Sequence, residues 1–261
     1  MKSFSIFKRI STIVQLSSFS LLITLFLCGN IIAQNVDSLI SLNSESRGGY
    51  KDLKSIQSIT MEGKATLGNQ EATYKVYILR PNYIRIDLIG KTNKLFQTYD
   101  GKDAWTLNEN IDPSKIEMMG FQEKERLITE ADIDGPLIDY AVKGHSVVLE
   151  GVEITEGKKT FVLLVTQSDG TRKRLYLDEK NHLVVKESTY RTVKGNSPLA
   201  TTVIKAESIF EGYTNYDGYS LPKLISTYID AKLISILKIE KVEFNSIKSK
   251  NFFSKDNIKQ N

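Results

Sequence analysis

The side chains that could carry chemistry are few and widely separated. The chain has two histidines, His145 and His182, and one cysteine, Cys28. The histidines lie in different predicted strands and form neither an H-x-x-x-H nor an H-x-E pattern, whereas a zinc site needs several converging ligands. We therefore predict no metal site and no cofactor, and we interpret both histidines as surface residues near strand starts.

Asp132, Asp134 and Asp139 form an acidic cluster in the middle of the chain. A calcium loop would need the D-x-D-x-D-G order and a later glutamate, and this cluster has neither. Because Asp134 precedes Gly135-Pro136, we interpret it as the N-cap of a short helix.

Motifs of nucleophilic catalysis and phosphate binding are also missing. The sequence contains no G-x-S-x-G, P-loop or G-x-G-x-x-G. Arg172-Lys173-Arg174 is basic, but on a strand these side chains alternate between faces and have no grouped aromatic partners. We favour a solvated strand and predict that the protein is not an enzyme and does not bind nucleic acid. An unrecognised hydrolase is the least favoured alternative.

The N-terminus has the order of a secretory signal peptide. Lys2, Lys8 and Arg9 precede an apolar stretch that is densest from Leu21 to Leu27 and is followed by Ile31, Ile32 and Ala33. This stretch is too short to predict a membrane-spanning helix. We predict a signal peptide over residues 1–33, cleavage after Ala33 and export to the periplasm, with no transmembrane segment in the mature chain.

Cys28 raises the alternative of a lipid anchor. A lipoprotein signal places a small residue before the lipidated cysteine, but Leu27 stands there, so we favour a cysteine within the discarded segment. Removing residues 1–33 takes three positive charges from a net charge of +4 and leaves +1. The mature chain then has no field that would attract nucleic acid and no cysteine for disulfide or thiolate chemistry.

The elements that would position a site are mostly strands. Residues Asn35 to Ser55 have helical spacing with a break at Gly48-Gly49, and from Ile56 onward the apolar period changes to two. Asp100-Gly101 and Ser168-Asp169-Gly170 predict hairpin turns. We predict one mainly β domain over residues 34–247 and a polar, poorly ordered C-terminal tail over residues 248–261.

The segment from Asn108 to Gly144 interrupts the strand pattern. We predict one amphipathic helix over Glu123 to Ala131 and a second short helix after Asp134. A long insertion with short helices inside a run of strands is typical of a lid or binding element.

Two segments carry a resemblance to a known family. Residues 80–87 (RPNYIRID) are followed by residues 99–108 (YDGKDAWTLN), which resembles the R-P-x-x-x-R strand and D-G-K-x-x-W hairpin of LolA/LolB-like outer-membrane lipoprotein carriers. The resemblance implies a half-open antiparallel β-barrel whose short helices cover an apolar concave face that holds acyl chains. It also implies that Arg80 holds the lid; a salt bridge at a strand end is an equal alternative for this residue. The chain lacks the family's F-x-P-x-x-x-Q continuation after Trp105, so the lipoprotein cargo does not follow from the resemblance.

Alternating apolar residues give the candidate cavity positions, although each could also be plain core. The predicted ligand-binding residues are Ile59, Met61, Tyr74, Val76, Ile78, Ile84, Ile86, Leu88, Trp105, Leu137, Ile138 and Tyr140. The favoured hypothesis is a periplasmic, non-catalytic carrier or sensor for acyl chains of lipids or lipoproteins, with an envelope protein as a further partner. The alternative is a structural or scaffold module of the cell envelope whose barrel is filled by its own side chains.

Overall fold

The computed structural model describes residues 36–194, 201–247 and 249–258. The predicted signal peptide and Cys28 therefore lie outside the described residues. The described residues form three α-helices: α1 over residues 36–47, α2 over Tyr50–Ser55 and α3 over Phe121–Glu130. The strands in chain order are β1 Ser58–Leu67, β2 Gln70–Leu79, β3 Tyr83–Gly90, β4 Lys94–Tyr99, β5 Ala104–Asn108, β6 Ile116–Met118, β7 Ser146–Thr155, β8 Lys158–Thr166, β9 Arg172–Asp178, β10 Val184–Lys194, β11 Thr201–Glu211, β12 Thr214–Tyr216, β13 Tyr219–Leu221, β14 Leu224–Ile229 and β15 Lys232–Phe244.

Thirteen strands form one antiparallel sheet in the order β6-β5-β4-β3-β2-β1-β15-β14-β11-β10-β9-β8-β7. The neighbours are mostly hairpin partners, but β1 pairs with β15, so that Ile59 lies opposite Phe244. In the described part of the chain β6 and β7 end the sheet and do not pair with each other, so the sheet does not close. The prediction of a mainly β, open antiparallel architecture with few short helices is confirmed.

One face of the sheet, here called the inner face, contacts the helices. On β1–β3 it carries apolar residues that pack against Leu53 of α2 and Leu127 of α3. On β7–β9 it carries a second apolar cluster that packs against Leu39 of α1. Each helix therefore covers apolar surface that the alternation of the strands places on one side.

The opposite face, here called the outer face, is covered on β3–β5 by residues 249–258. These residues form two short 3-10 helices, Lys250–Phe253 and Lys255–Asn257, and fully bury Phe253 and Ile258. The prediction of a poorly ordered tail is wrong for these residues. The segment is polar on average, but its few apolar side chains pack against an apolar patch on the outer face of the sheet.

An ion pair lies beneath this C-terminal segment. Arg85 Nε donates to Asp87 Oδ1 at 2.8 Å, and neither side chain is exposed to solvent. Arg85 also donates to the Asn257 carbonyl at 2.9 Å and lies 4.8 Å from the centre of the Phe252 ring. The segment thus supplies both a hydrogen-bond acceptor and an aromatic face to a buried cation.

A proline interrupts the strand pattern near the C-terminal end of the sheet. Pro222 separates β13 from β14, because proline has no N–H for the ladder. β13 pairs instead with β12 in a separate two-stranded sheet. None of the helices that the structure describes is both long enough and apolar enough to cross a membrane.

Candidate functional site

Residues 131–144, here called the lid segment, connect α3 to β7 across the inner face. Ile133 and Ile138 belong to the apolar cluster of β1–β3, whereas Leu137 belongs to the cluster of β7–β9. The segment therefore bridges the two cores of the domain and contributes to both.

The lid segment is a series of turns rather than the predicted second helix. Gly135, Asp139 and Gly144 have φ angles of 72°, 55° and 73°. A right-handed helix cannot include residues with positive φ, so these positions end each incipient turn. The predicted N-cap role of Asp134 is wrong for the same reason.

Asp134 instead lies at the centre of an ion-pair network. The guanidinium of Arg80 donates to both carboxylate oxygens, with Nη1 2.9 Å from Oδ2 and Nη2 2.6 Å from Oδ1. Lys54 of α2 donates to Asp134 at 3.0 Å and to Asp139 at 2.8 Å. Burial raises the pKa of the Asp134 carboxyl, but the hydrogen bonds from Arg80 and Lys54 outweigh it and lower the pKa to about 2. The carboxylate is therefore ionised at all physiological pH values.

Further contacts join the lid segment to the N-terminal helices. Tyr50 donates its hydroxyl to Asp139 at 2.9 Å, and Tyr140 donates its hydroxyl to Asp37 at 3.0 Å. Arg47 Nη1 donates to the Asp134 carbonyl at 2.9 Å. Polar contacts thus join the lid segment to α1, α2 and the end of β2, in addition to its apolar packing.

The predicted cavity residues on β1–β3 do come together on the inner face. Five of them form buried core under α2, α3 and the lid segment: Ile59, Val76, Ile78, Ile84 and Ile86. Met61 and Tyr74 pack partly buried against this core, and burial raises the pKa of Tyr74. Leu88 lies at the partly exposed end of the same face, opposite Tyr74. This apolar surface is covered by the protein's own side chains.

Trp105 does not lie with them. It pairs with Thr98 on β4, and directly paired residues face the same side of a sheet. Its ring packs in the outer-face cluster with Phe96, Leu107 and Ile258. The placement of Trp105 in the cavity is wrong because the hairpin register puts Ala104 and Thr106 on the inner face instead.

The predicted residues of the lid segment divide among three environments. Ile138 is buried on the β1–β3 side, and Leu137 is buried on the β7–β9 side. Tyr140 is partly exposed and bonded to Asp37. Only Ile138 therefore shares a cluster with the predicted strand residues.

A large cavity of about 810 Å³ lies beside the lid segment, over β9–β11 and β14. Small and polar residues from these strands form part of its wall: Thr189, Ala206, Ser208 and Thr227. Charged side chains also line the cavity, and several of them form ion pairs, as in Lys173 with Glu187 at 2.9 Å and Lys143 with Asp132 at 2.6 Å. This cavity has the volume of a small-molecule site but is more polar than the sequence predicted.

His145 also lines this cavity. Its Nδ1 accepts a hydrogen bond from the Ser168 backbone N–H at 3.2 Å. Burial, together with the nearby charge of Lys143, lowers the pKa of His145 below its ordinary value. The imidazole is therefore neutral at neutral pH, which is consistent with its role as an acceptor.

A smaller cavity of about 240 Å³ lies on the other side of residues 132–137, between α1 and β13. Its wall is mainly apolar and includes Leu175, Val184, Phe210 and Leu221. Its polar lining residues include Arg47, Asn43 and Tyr213. Asp132, Gly135, Pro136 and Glu187 line both cavities, so the two are neighbours.

Comparison with known proteins identifies the architecture. No protein-family model matches the sequence, and no curated protein matches it. Among solved structures, a DUF1329 family protein from Desulfovibrio piger aligns with a TM-score of 0.57 and 12% identity, covering 85% of this chain and 98% of that one. A LolA superfamily protein from Nitrosomonas europaea aligns with a TM-score of 0.53 and 14% identity over the same shares of the two chains.

The chain has a LolA-like fold. A domain named for outer membrane lipoprotein sorting, from Vibrio parahaemolyticus, has the same TM-score of 0.53, 14% identity and coverage of 85% and 98%. At these identities the likeness shows the LolA-like fold alone. The fold prediction made from the Arg80 strand and the Asp100-Gly101 hairpin is confirmed, and the roles of individual residues stay predictions.

Sequence reasoning missed two features of the site. Asp134 was recognised as acidic, but its partners Arg80 and Lys54 are 54 and 80 residues away, and no local pattern connects them. Arg47 was not singled out, because an arginine near the end of a helix is common and favourable there. The one sequence signal for Arg47 was a positive charge at the end of a helix whose first inward positions are apolar.

Proposed function

We propose that this protein is an exported, non-catalytic carrier or sensor that binds acyl chains of lipids or lipoproteins on the inner face of its LolA-like sheet. One observation carries the proposal. A continuous apolar surface on β1–β3 is covered by α2, α3 and the lid segment, which are fastened to the sheet by a small ion-pair network next to a large cavity.

The Arg80–Asp134 ion pair, here called the latch, holds the lid segment against the end of β2. With the pair broken, the lid segment and α2 lose a contact that ties both to the end of β2. An acyl chain would then replace Leu53, Ile133 and Ile138 on the strands, and each buried methylene contributes about 0.8 kcal/mol. Such an exchange of apolar contacts requires no bond making and no catalyst.

The described residues contain no cluster of three or more His, Cys, Asp or Glu side chains arranged to hold a metal ion. The absence of a metal and of a cofactor stays a prediction. Export through a signal peptide over residues 1–33, the alternative of a lipid anchor at Cys28, and an envelope protein partner stay proposals that rest on the sequence.

A structural module of the envelope is the second candidate. The observation that favours it is the burial of most of the predicted cavity surface beneath the helices, with Val76 and Ile84 at 2% and 1% exposure. In this reading the helices are permanent core rather than a removable cover.

Native mass spectrometry of the protein purified from its own envelope separates the two candidates. A carrier retains bound lipid as an added mass, and the delipidated protein binds a fluorescent fatty acid. A single ligand-free mass, together with no binding of the fluorescent fatty acid by protein in which Arg80 is replaced by Gln, would contradict the carrier and favour the structural module.

A further inference from the structure

The smaller cavity combines an apolar wall with one cation. Leu175, Val184, Phe210 and Leu221 line it, and Arg47 contributes a guanidinium to the same wall. Tyr213, also in the wall, donates its hydroxyl to the Val184 carbonyl at 2.8 Å. Apolar walls with a few convergent polar groups are typical of sites for small molecules.

Arg47 differs from the other cations around the two cavities. Its Nη1 donates to the Asp134 carbonyl at 2.9 Å and its Nη2 to the Ile133 carbonyl at 3.4 Å. Among the described residues no carboxylate lies within ion-pair distance of this guanidinium, and the rest of the sequence contains no Asp or Glu. Burial lowers the pKa of Arg47 below its ordinary value, although Tyr213, Asp134 and Asp132 oppose the shift.

The nearby carboxylates are engaged elsewhere. Asp132 pairs with Lys143 at 2.6 Å, and Glu187 pairs with Lys173 at 2.9 Å. The carboxylate of Asp134 accepts from Arg80 and Lys54, so only its backbone carbonyl remains for Arg47. The two carbonyls leave some of the five guanidinium N–H donors for another acceptor.

From this arrangement we infer that Arg47 binds the anionic head group of an amphiphile whose apolar tail lies along the wall of the smaller cavity. The inference rests on the proposed function and narrows it to ligands that carry a carboxylate or a phosphate. A guanidinium binds both groups through two parallel, charge-assisted hydrogen bonds, and an anion at this place supplies the missing countercharge. A neutral lipid of the same length makes the apolar contacts without the charged ones.

The test compares ligands with one tail and different heads. Dodecanoate, dodecyl phosphate and dodecanol are titrated calorimetrically into the delipidated full-length mature protein, with inorganic phosphate as a head group without a tail. We expect at least one of the two anionic amphiphiles to bind about tenfold or more tightly than dodecanol. The preferred anion identifies the head group, and inorganic phosphate is expected to bind much more weakly than dodecyl phosphate.

Variants assign the effect to Arg47. Arg47→Gln should reduce the affinity for the preferred anion about tenfold and leave the affinity for dodecanol unchanged, whereas Arg47→Lys should retain part of the preference. Arg172→Gln, which removes an exposed arginine at the start of β9, is the matched control and should change neither affinity.

Four results would overturn the inference. If anions and dodecanol bind equally, the head group is not recognised, although the proposed acyl-chain binding stands. If Arg47→Gln weakens dodecanol and the anions alike, Arg47 only supports the lid segment. If no amphiphile binds, both the inference and the proposed function fail; if inorganic phosphate binds as tightly as dodecyl phosphate, the site takes no amphiphile.

Discussion

Arg80 and Asp134 form a two-pronged ion pair across the domain, with the guanidinium nitrogens 2.9 Å and 2.6 Å from the two carboxylate oxygens. Arg80 follows β2, and Asp134 lies in the lid segment. Arg80 Nε also donates to the Ile56 carbonyl at 2.6 Å, so one side chain ties α2, the sheet and the lid segment together.

Breaking the pair should loosen the lid segment. In Arg80→Gln and in Asp134→Asn we expect faster amide hydrogen exchange in residues 131–144 and in α2, because the charge-assisted bonds that hold them are lost. The matched control is Arg126→Gln, which removes an exposed pair with Glu130 on α3. Equal protection of residues 131–144 in the wild type and both latch variants would show that apolar packing alone holds the segment.

Stability should depend on Asp134 at low pH. Its pKa in the folded protein is about 2, below its ordinary value of 3.8. A depressed carboxyl pKa means that the unfolded chain binds more protons, so the contribution is complete above pH 3.8 and is lost as the pH falls toward 2. The shift corresponds to about 2 kcal/mol. The difference in unfolding free energy between the wild type and Asp134→Asn, measured by urea denaturation, should shrink across this window; a difference independent of pH would contradict the assigned pKa.

The inner face should behave as close-packed core when no ligand is bound. Ile84 is 1% exposed between β2 and β4. We expect Ile84→Ala to lower the free energy of unfolding by about 2–5 kcal/mol, because it leaves a cavity. Val203→Ala, on a residue 62% exposed, is the control and should change it by less than about 0.5 kcal/mol. A small effect of Ile84→Ala would mean that the helices do not pack closely against the strands in solution.

The buried pair of Arg85 and Asp87 should be costly to break on one side. Arg85→Met leaves the Asp87 carboxylate without its main partner in a dry environment, and we expect a loss of about 3–5 kcal/mol in chemical denaturation. The double variant Arg85→Met with Asp87→Leu should recover much of that loss, since replacing both charges removes the unpaired group. A double variant as unstable as the single one would show that Arg85 acts through Phe252 and Asn257 rather than through Asp87.

The strands and their order along the chain were predictable because their signals are local. Alternation placed Val76, Ile78, Ile84 and Ile86 on one face, and Asp100-Gly101 marked the hairpin between β4 and β5. These features depend on period and turn chemistry, which act over a few residues. The helices α2 and α3 also appear where spacing and the Gly48-Gly49 break predicted them.

The features that sequence reasoning missed depend on contacts between distant segments. The face of Trp105 is set by hairpin register and by the burial of Ile258 beside it, and neither is visible in the tryptophan's own neighbourhood. The C-terminal segment is polar on average, and only the outer surface of β3–β5 gives Phe253 a place to be buried. The polar wall that β10, β11 and β14 contribute to the large cavity likewise follows from the order of strands in the sheet.

The pairing of β1 with β15 determines when during synthesis the domain can finish folding. Ile59 meets Phe244, so the middle of the sheet joins the first strand synthesised to the last one. Contacts of such long sequence separation form slowly, since most of the chain must be enclosed in a loop before they are made. A growing chain therefore cannot complete its fold before its final strand is available. The export proposed above is compatible with this order of events, because a chain whose central strand pairing waits for β15 cannot finish folding while it is still being synthesised.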